Sequence, residues 1–183
     1  RLPKWVGELY LEFHRGTYTT IGKNKRYNRK IEYLLHNIEA MATMNRLLNG
    51  ADYPYETLEA MWEDVLNLQF HDILPGSSIK EVYEDSDKMY TDLFAKGEQL
   101  LSKLSEEISS RAKSGDLVFN MQPFSVLADM EKDGKFYTQE APSYGFAVVA
   151  SPVENSVIVQ EKHLDNTFYD IDFAEKYEMV RTL

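Results

Sequence analysis

The sequence predicts an α+β fold, in which a three-helix bundle is followed by β-strands that belong to a β-sandwich domain. Between about residues 22 and 112, apolar side chains recur with helical spacing, and only short loops interrupt them. After Gly115 the pattern changes to short β-rich runs separated by prolines. We therefore predict a leading segment at 1–20, a helical domain at 21–114 and the start of a β-domain at 115–183.

The leading segment is predicted to be strand-like and then irregular around Gly16. The first helix is predicted over residues 22–48, because apolar residues recur there at helical spacing: Tyr27, Ile31, Leu34, Ile38, Met41 and Leu48. Asn49 and Gly50 follow as a C-terminal cap, since glycine readily adopts the left-handed conformation that ends a helix.

Two further helices complete the predicted up-down-up bundle, at residues 55–70 and 78–112. The apolar stripe of the second helix consists of Leu58, Met61 or Trp62, Val65, and Leu68 or Gln69. Ser77 or Ser78 is expected to cap the third helix, with Glu81 in the first turn as a capping box requires.

The β-region contains the runs "DLVFN", "GFAVVA" and "SVIVQEKHL", and ends in a run that alternates well enough for one or two strands. The dipeptide Asp133-Gly134 predicts a hairpin turn. We expect this region to be the opening of a β-domain and the chain to be part of a longer protein.

Composition excludes several classes of protein. The chain is 43% hydrophobic, which suits a packed core, and it has no cysteine for disulfides or thiolate metal ligands. A net charge of −10 argues against binding to duplex nucleic acid. No apolar run has the length of a membrane span, and nothing resembles a secretion signal.

The junction after the second helix carries a histidine and an aspartate side by side, His71 and Asp72, followed directly by the breakers Pro75 and Gly76. An imidazole can bind zinc, and a carboxylate beside it can bind a sugar hydroxyl. The alternative is structural, with His71 capping the helix and Asp72 forming a turn. The residues by themselves favour this structural alternative. His14 lies at a similar junction.

A complete catalytic zinc site needs three protein ligands and one open position. The sequence contains no His-x-His or HExxH pattern, and its His-x-Asp triplet, His163-Leu164-Asp165, lies in the β-region more than ninety positions after His71. If His71 binds a metal, most of the other ligands must therefore come from elsewhere.

A basic run, "KNKRYNRK", occupies the start of the first helix, where the helix dipole disfavours cations. It could form an anion site or pair across the bundle with acidic residues of the third helix: Glu81, Glu84, Asp85 and Asp87. The negative charge of the whole chain favours the pairing.

Three stretches follow one another along the chain and read "WVGELYLEFHRGTYTT", "KNKRYNRKIEYLL" and "YPYETLEAMWEDVLNLQFHDILPGSSIKEVYED". Together they resemble the middle region of the family 38 glycoside hydrolases, the α-mannosidases, and most closely their bacterial and cytosolic branch. The resemblance continues more faintly through "VFN", "PSYGFAVV" and "LDNTFYDIDF" in the β-region.

The resemblance implies a retaining, zinc-dependent α-mannosidase that removes terminal α-linked mannose from oligosaccharides. The catalytic nucleophile, the acid/base residue and the other zinc ligands would belong to an N-terminal α/β domain outside this chain. In this chain His71 would bind zinc, Asp72 would bind sugar hydroxyls, and the candidates for further sugar contacts are His14, Arg15 and Tyr18.

On this basis we expect a cytoplasmic enzyme whose partners are a mannose-containing oligosaccharide, its own N-terminal catalytic domain and the rest of its β-domain. This chain by itself is expected to be inactive, and self-association into a homo-oligomer is left open. The alternative function is a non-catalytic helical interaction or scaffold module with an appended β-domain, which would need no metal.

Overall fold

The computed structural model describes residues 2–7, 15–111, 115–132 and 135–149, together with the strand segments 158–160, 163–165, 170–173 and 180–182. The chain divides into two compact units, Arg1–Ser114 and Gly115–Leu183. Residues 2–7 have no regular structure, and most of the strand-like segment predicted before Gly16 lies outside the described residues.

The first unit contains three α-helices, α1 (Gly22–Asn49), α2 (Tyr55–Leu68) and α3 (Lys80–Ser109). Helices α1 and α3 are parallel, since contacts join their N-terminal halves and also their C-terminal halves. Lys23 pairs with Asp87 at 2.7 Å, and Asn45 donates to Glu107 at 2.6 Å. The predicted up-down-up bundle is therefore confirmed, and none of these described helices is long and apolar enough to cross a membrane.

The helix ends agree with the sequence in one case and not in another. Gly50 has a φ of 68° and donates its N–H to the carbonyl of Arg46 at 2.9 Å, as predicted for the end of α1. At α3 the N-cap position is Ile79, which makes no side-chain cap bond. The predicted serine cap is wrong, because Ser78 Oγ donates to the carbonyl of Asp72 instead.

The core of the bundle comes from one apolar stripe on each helix. On α2 the inward residues are Leu58, Met61, Val65 and Leu68, which decides both alternatives left open by the sequence. On α1, Leu35 is fully buried, whereas Leu48 is 39% exposed although it was predicted to join the stripe. Gly97 lets α3 approach α1 closely, since a Cβ there would lie 2.6 Å from Leu34 Cδ2.

The second unit consists of short antiparallel strands in small sheets. Strand β1 (Leu117–Asn120) pairs with β4 (Gly145–Val148), and β2 (Val126–Lys132) pairs with β3 (Lys135–Ala141). Four further strands follow in order in one sheet: β5 (Ile158–Gln160), β6 (His163–Asp165), β7 (Asp170–Phe173) and β8 (Val180–Thr182).

The hairpin expected at Asp133-Gly134 has its strands in place. Lys132 pairs with Lys135, which is the register that a two-residue connection requires, although residues 133–134 themselves lie outside the described residues.

A buried asparagine, Asn120, stabilises the loop that follows β1. Its Nδ2 lies 2.8 to 3.1 Å from the carbonyl oxygens of Phe124, Ala141 and Pro142.

Tyr90 of α3 is fully buried in the bundle, with its ring against the rings of Tyr27 and Phe94 at centroid distances of 5.5 and 6.4 Å. Its hydroxyl has no hydrogen-bond partner among the described residues. Burial, followed by the negative charge of Glu32, raises the pKa of Tyr90 to about 12. The phenol is therefore neutral in the folded state up to strongly alkaline pH.

We predict that Tyr90→Phe leaves the free energy of unfolding unchanged or raises it by about 1–3 kcal/mol, because it removes a buried polar atom without a partner. Urea unfolding at pH 7 measures this change. The advantage of the variant should grow above pH 10, because the unfolded state of the wild type then loses a proton that the folded state retains up to about pH 12. The control Tyr90→Leu should destabilise the bundle, since the ring contacts are lost. A loss of more than 1 kcal/mol in Tyr90→Phe would contradict this account.

Candidate functional site

The α2–α3 loop, residues 69–79, holds the two residues that the sequence singled out. Its backbone folds into successive turns, in which Ile73 N–H donates to the Phe70 carbonyl at 2.9 Å and Gly76 N–H to the Ile73 carbonyl at 3.2 Å. At the end of α2, Gln69 N–H donates to the Val65 carbonyl at 3.0 Å. Backbone bonds therefore close α2 before His71 is reached.

Three consecutive carbonyl groups of this loop accept hydrogen bonds from neighbouring side chains. Ser78 Oγ donates to Asp72 O at 2.7 Å, and Lys25 Nζ donates to Leu74 O at 2.9 Å. The hydroxyl of Tyr83 lies 3.3 and 3.2 Å from the carbonyl oxygens of Asp72 and Ile73. The same hydroxyl accepts the Ser78 N–H at 3.1 Å. Hydrogen bonds from α1 and α3 thus fix the loop backbone that carries the side chains of His71 and Asp72.

A buried polar pair supports this arrangement from inside the bundle. Asn24 of α1 is 2% exposed and donates its Nδ2 to the Ile73 carbonyl at 3.3 Å. Ser86 of α3, also 2% exposed, donates its hydroxyl to Asn24 Oδ1 at 2.8 Å. Since an unpaired buried amide would cost free energy, these bonds favour one register of α1, α3 and the loop.

A second polar cluster holds the end of α2 against α1. Gln69 Nε2 lies 2.9 Å from both Asn28 Oδ1 and Glu32 Oε1, and Asn28 Nδ2 donates to Glu32 Oε1 at 3.0 Å. Reasoning from the sequence missed this cluster. The sequence signal for it is that polar residues, Asn24, Asn28 and Glu32, recur every four positions on the side of α1 that faces the other helices.

The side chains of His71 and Asp72 are exposed although their backbone is fixed. Their exposed fractions are 76% and 58%, and His71 Nε2 lies 3.5 Å from Asp72 Oδ2. The imidazole lies against Phe70, with the ring centroids 4.2 Å apart. The pair therefore presents an imidazole and a carboxylate to the outside from one rigid turn.

The turn before α1, residues 15–21, carries the other candidate residues. Thr19 and Thr20 N–H both donate to the Gly16 carbonyl, at 3.0 and 2.8 Å. Arg15 and Tyr18 are exposed, Tyr18 by 81%, while His14 lies outside the described residues. Two of the three candidates, Arg15 and Tyr18, therefore lie exposed on one tight turn.

This turn contacts the α2–α3 loop directly. Lys25 Nζ donates to Thr20 O at 2.5 Å as well as to Leu74 O, and partial burial lowers the pKa of Lys25 below its usual value. Gly76, at a φ of 93°, lies so close that a Cβ there would be 2.8 Å from Thr20 O. A cavity of about 340 Å³ opens beside this contact, lined by Thr17, Tyr18, Lys25, Asn28, Arg29, Leu74 and Pro75.

Residues of the basic run at the start of α1 form ion pairs with different partners. Lys23 pairs with Asp87 of α3, and this hydrogen bond raises the pKa of Lys23, so the predicted pairing across the bundle is confirmed there. Glu84 and Asp85 pair instead with lysines of their own helix, at 3.1 and 3.2 Å. Arg29 pairs within α1 with Glu32 at 2.8 Å.

The donor set around His71 meets part of what a zinc site requires. Imidazole nitrogen and carboxylate oxygen are both ligands that zinc accepts. Within the described part of the chain, however, no group of three or more His, Asp or Glu side chains could hold a metal ion. The donor types of His71 and Asp72 fit zinc, and the remaining ligands would have to come from outside the described residues.

Comparison with known proteins identifies the helical unit. The family model for the alpha mannosidase middle domain matches residues 12–108, which include α1, α2 and nearly all of α3. The chain belongs to the family 38 α-mannosidases. The resemblance seen in the sequence is thereby confirmed.

Relatives of this chain among curated proteins are named alpha-mannosidases. The chain is 34% identical over 169 residues to an alpha-mannosidase of Saccharomyces cerevisiae, a match that covers 88% of this chain and 15% of that protein. It is 35% identical over 161 residues to mouse alpha-mannosidase 2C1, covering 83% of this chain and 15% of the relative. With alpha-mannosidase G of Dictyostelium discoideum the identity is 41% over 110 residues, covering 60% and 10%.

A solved structure shares the fold of this α-mannosidase segment. It is a protein in glycosyl hydrolase family 38 from Enterococcus faecalis, with a TM-score of 0.56 at 20% sequence identity. The match covers 64% of this chain and 15% of that chain. The present chain thus spans about 15% of the length of the yeast and mouse relatives.

We predict that Gly76→Ala destabilises the helical unit. The left-handed φ of 93° costs about 1–3 kcal/mol for a residue with a Cβ, and the new atom would also meet the backbone of Thr20. Thermal and urea unfolding measure the loss.

The matched control for this prediction is Gly22→Ala, at the start of α1, where an added Cβ meets nothing within 4 Å. Since alanine favours helix more than glycine does, this variant should be unchanged or stabilised by at most about 1 kcal/mol. Equal stability of the two variants would show that the Gly76–Thr20 contact does not constrain the loop.

Proposed function

We propose that this chain is the middle part of a retaining, zinc-dependent α-mannosidase that hydrolyses terminal α-linked mannose from oligosaccharides. Its contribution would be one zinc ligand, His71, and part of the sugar-binding surface around Asp72, with further contacts from His14, Arg15 and Tyr18. The observation that carries the proposal is the exposed His71–Asp72 pair on a fixed backbone, within the segment that matches the α-mannosidase middle domain.

His71 suits the role of a zinc ligand for physical reasons. Its imidazole is mostly exposed and adjoins Phe70, so one ring nitrogen can face a metal without the side chain leaving a packed position. The fixed turn beneath it limits the entropy that binding would cost. When bound, zinc would act as a Lewis acid and as a template for neighbouring sugar hydroxyls.

Asp72 suits the role of a hydroxyl acceptor. Its carboxylate is more than half exposed and lies on the same turn as His71, and the hydroxyl oxygen of Ser77 lies 3.4 Å from Asp72 Oδ1. An ionised acceptor forms stronger hydrogen bonds to hydroxyls than a neutral amide does. Bonds that strengthen as the sugar ring flattens toward an oxocarbenium-like state would lower the barrier to hydrolysis.

The other catalytic groups would belong to the rest of the enzyme. In this proposal an N-terminal α/β domain supplies the carboxylate nucleophile, the acid/base residue and the further zinc ligands. This chain then orients the sugar and supplies His71 as a ligand. The resemblance to the cytosolic branch of the family also supports a cytoplasmic location.

We predict that His71→Ala in the full-length enzyme lowers zinc content, because one ligand is removed from a small coordination shell. Metal analysis of the purified protein after dialysis measures the change independently of activity. His36→Ala, at an exposed position on α1, is the matched control and should retain zinc. Native zinc content in His71→Ala would refute the assignment of His71, whereas a wild-type enzyme without zinc would favour the non-catalytic alternative.

We predict that Asp72→Asn retains zinc but lowers kcat more than it raises KM. Charge-assisted hydrogen bonds contribute about 1.5–3 kcal/mol, so a loss of roughly ten- to a hundredfold in kcat/KM is expected. Steady-state kinetics on an aryl α-mannoside measures it. Asp85→Asn, an exposed carboxylate on α3, should behave as wild type. Near-native kinetics in Asp72→Asn would remove Asp72 from the sugar site.

A further inference from the structure

We propose that Lys25 is a positioning residue that couples the two parts of the sugar site. Its ammonium group joins the turn before α1, which carries Tyr18, to the α2–α3 loop, which carries His71 and Asp72. This inference rests on the proposed function, because it assigns to Lys25 a role in aligning residues of that same site.

The geometry of the coupling is given by two hydrogen bonds from one atom. Lys25 Nζ donates to the carbonyl of Thr20 at 2.5 Å and to the carbonyl of Leu74 at 2.9 Å. Thr20 and Leu74 each follow a candidate site residue by two positions, Tyr18 and Asp72 respectively. A shift of either carbonyl would therefore move a candidate sugar contact.

The position of Lys25 is unfavourable unless these carbonyls compensate for it. It lies in the first turn of α1, where the helix dipole disfavours a cation, and it is partly buried. Two carbonyl oxygens directed at the ammonium oppose both costs, since hydrogen bonds from a charged donor are stronger than neutral ones. A neutral side chain of the same length would avoid these costs but would leave both carbonyls without this donor.

Close packing of the same two segments supports the coupling independently. Gly76 has a φ of 93° and lies against the backbone of Thr20. A residue with a Cβ at this position would place that atom only 2.8 Å from Thr20 O, so only glycine allows the loop to come this close. The other loop carbonyls, of Asp72 and Ile73, have donors from Tyr83 and Asn24. Loss of the lysine bonds should therefore loosen the alignment of the two segments without unfolding the bundle.

The test is Lys25→Met in the full-length enzyme, which keeps an unbranched side chain of similar length and removes its donors. Hydrogen exchange followed by mass spectrometry should show faster exchange in peptides covering 15–21 and 70–78, on the order of ten- to a hundredfold, with unchanged exchange in α3. On an aryl α-mannoside, KM should rise by a similar factor and zinc content should stay near that of the wild type.

Two companion variants make the test specific. Lys25→Arg, whose guanidinium can donate to both carbonyls, should restore most of the protection and most of the affinity. Lys30→Met, at an exposed position on the same helix, should match the wild type in every measurement.

The proposal is overturned if Lys25→Met shows native exchange in both segments. It is equally overturned if exchange rises uniformly across all three helices, since that result would mean a general structural role. Failure of the proposed α-mannosidase function can be told apart from failure of the Lys25 coupling, because in the first case the wild-type enzyme would itself have no α-mannosidase activity. Exchange in the two segments would still decide the coupling in that case.

Discussion

The backbone carbonyl groups of the α2–α3 loop need hydrogen-bond donors, and the rest of the helical unit is arranged to supply them. The turns of this loop pair only some of its carbonyls with its own N–H groups, such as those of Phe70 and Ile73. Leaving the others unpaired next to a packed core would cost free energy. Donors reach them from both neighbouring helices, from Asn24 and Lys25 on α1 and from Tyr83 on α3. The loop is therefore rigid without being a helix or a strand.

This supply of donors depends on the up-down-up order of the helices. Because α1 and α3 are parallel, their first turns lie at the same end of the bundle as the last turn of α2. Polar pairs fix the register between α1 and α3, with the buried bond between Asn24 and Ser86 near one end and the part-buried bond between Asn45 and Glu107 near the other. A purely apolar interface would permit small shifts between the helices, whereas these bonds require one alignment.

The contrast between a hydrogen-bonded backbone and exposed side chains suits the proposed site, which groups outside this chain would complete. The bonds that hold His71 and Asp72 involve main-chain atoms, so both side chains can face outward at little cost in desolvation. In this α-mannosidase segment the described residues offer too few metal donors for a complete site. A fixed, incomplete and outward-facing pair is what the proposed contribution to a zinc and sugar site requires.

The sequence by itself determined the features whose physical cause is local. Helical spacing of apolar residues predicted all three helices, Gly50 predicted the end of α1, and Asp133-Gly134 predicted the pairing of β2 with β3. The pattern of motifs also predicted the family. The helix and turn signals depend on neighbours within a few positions, and the family signal depends on the order of motifs along the chain, so all of them can be read directly from the sequence.

Only the tertiary structure decided which distant groups form hydrogen bonds. Ser78 fits a helix cap in sequence, yet it bonds to Asp72, because the folded loop brings that carbonyl within 2.7 Å. Lys25 is one of several basic residues in a run, and nothing local indicates that it bonds to a carbonyl 49 positions away. Such bonds depend on how the α2–α3 loop folds and packs against α1, which the spacing of apolar residues does not encode to the accuracy of a hydrogen bond.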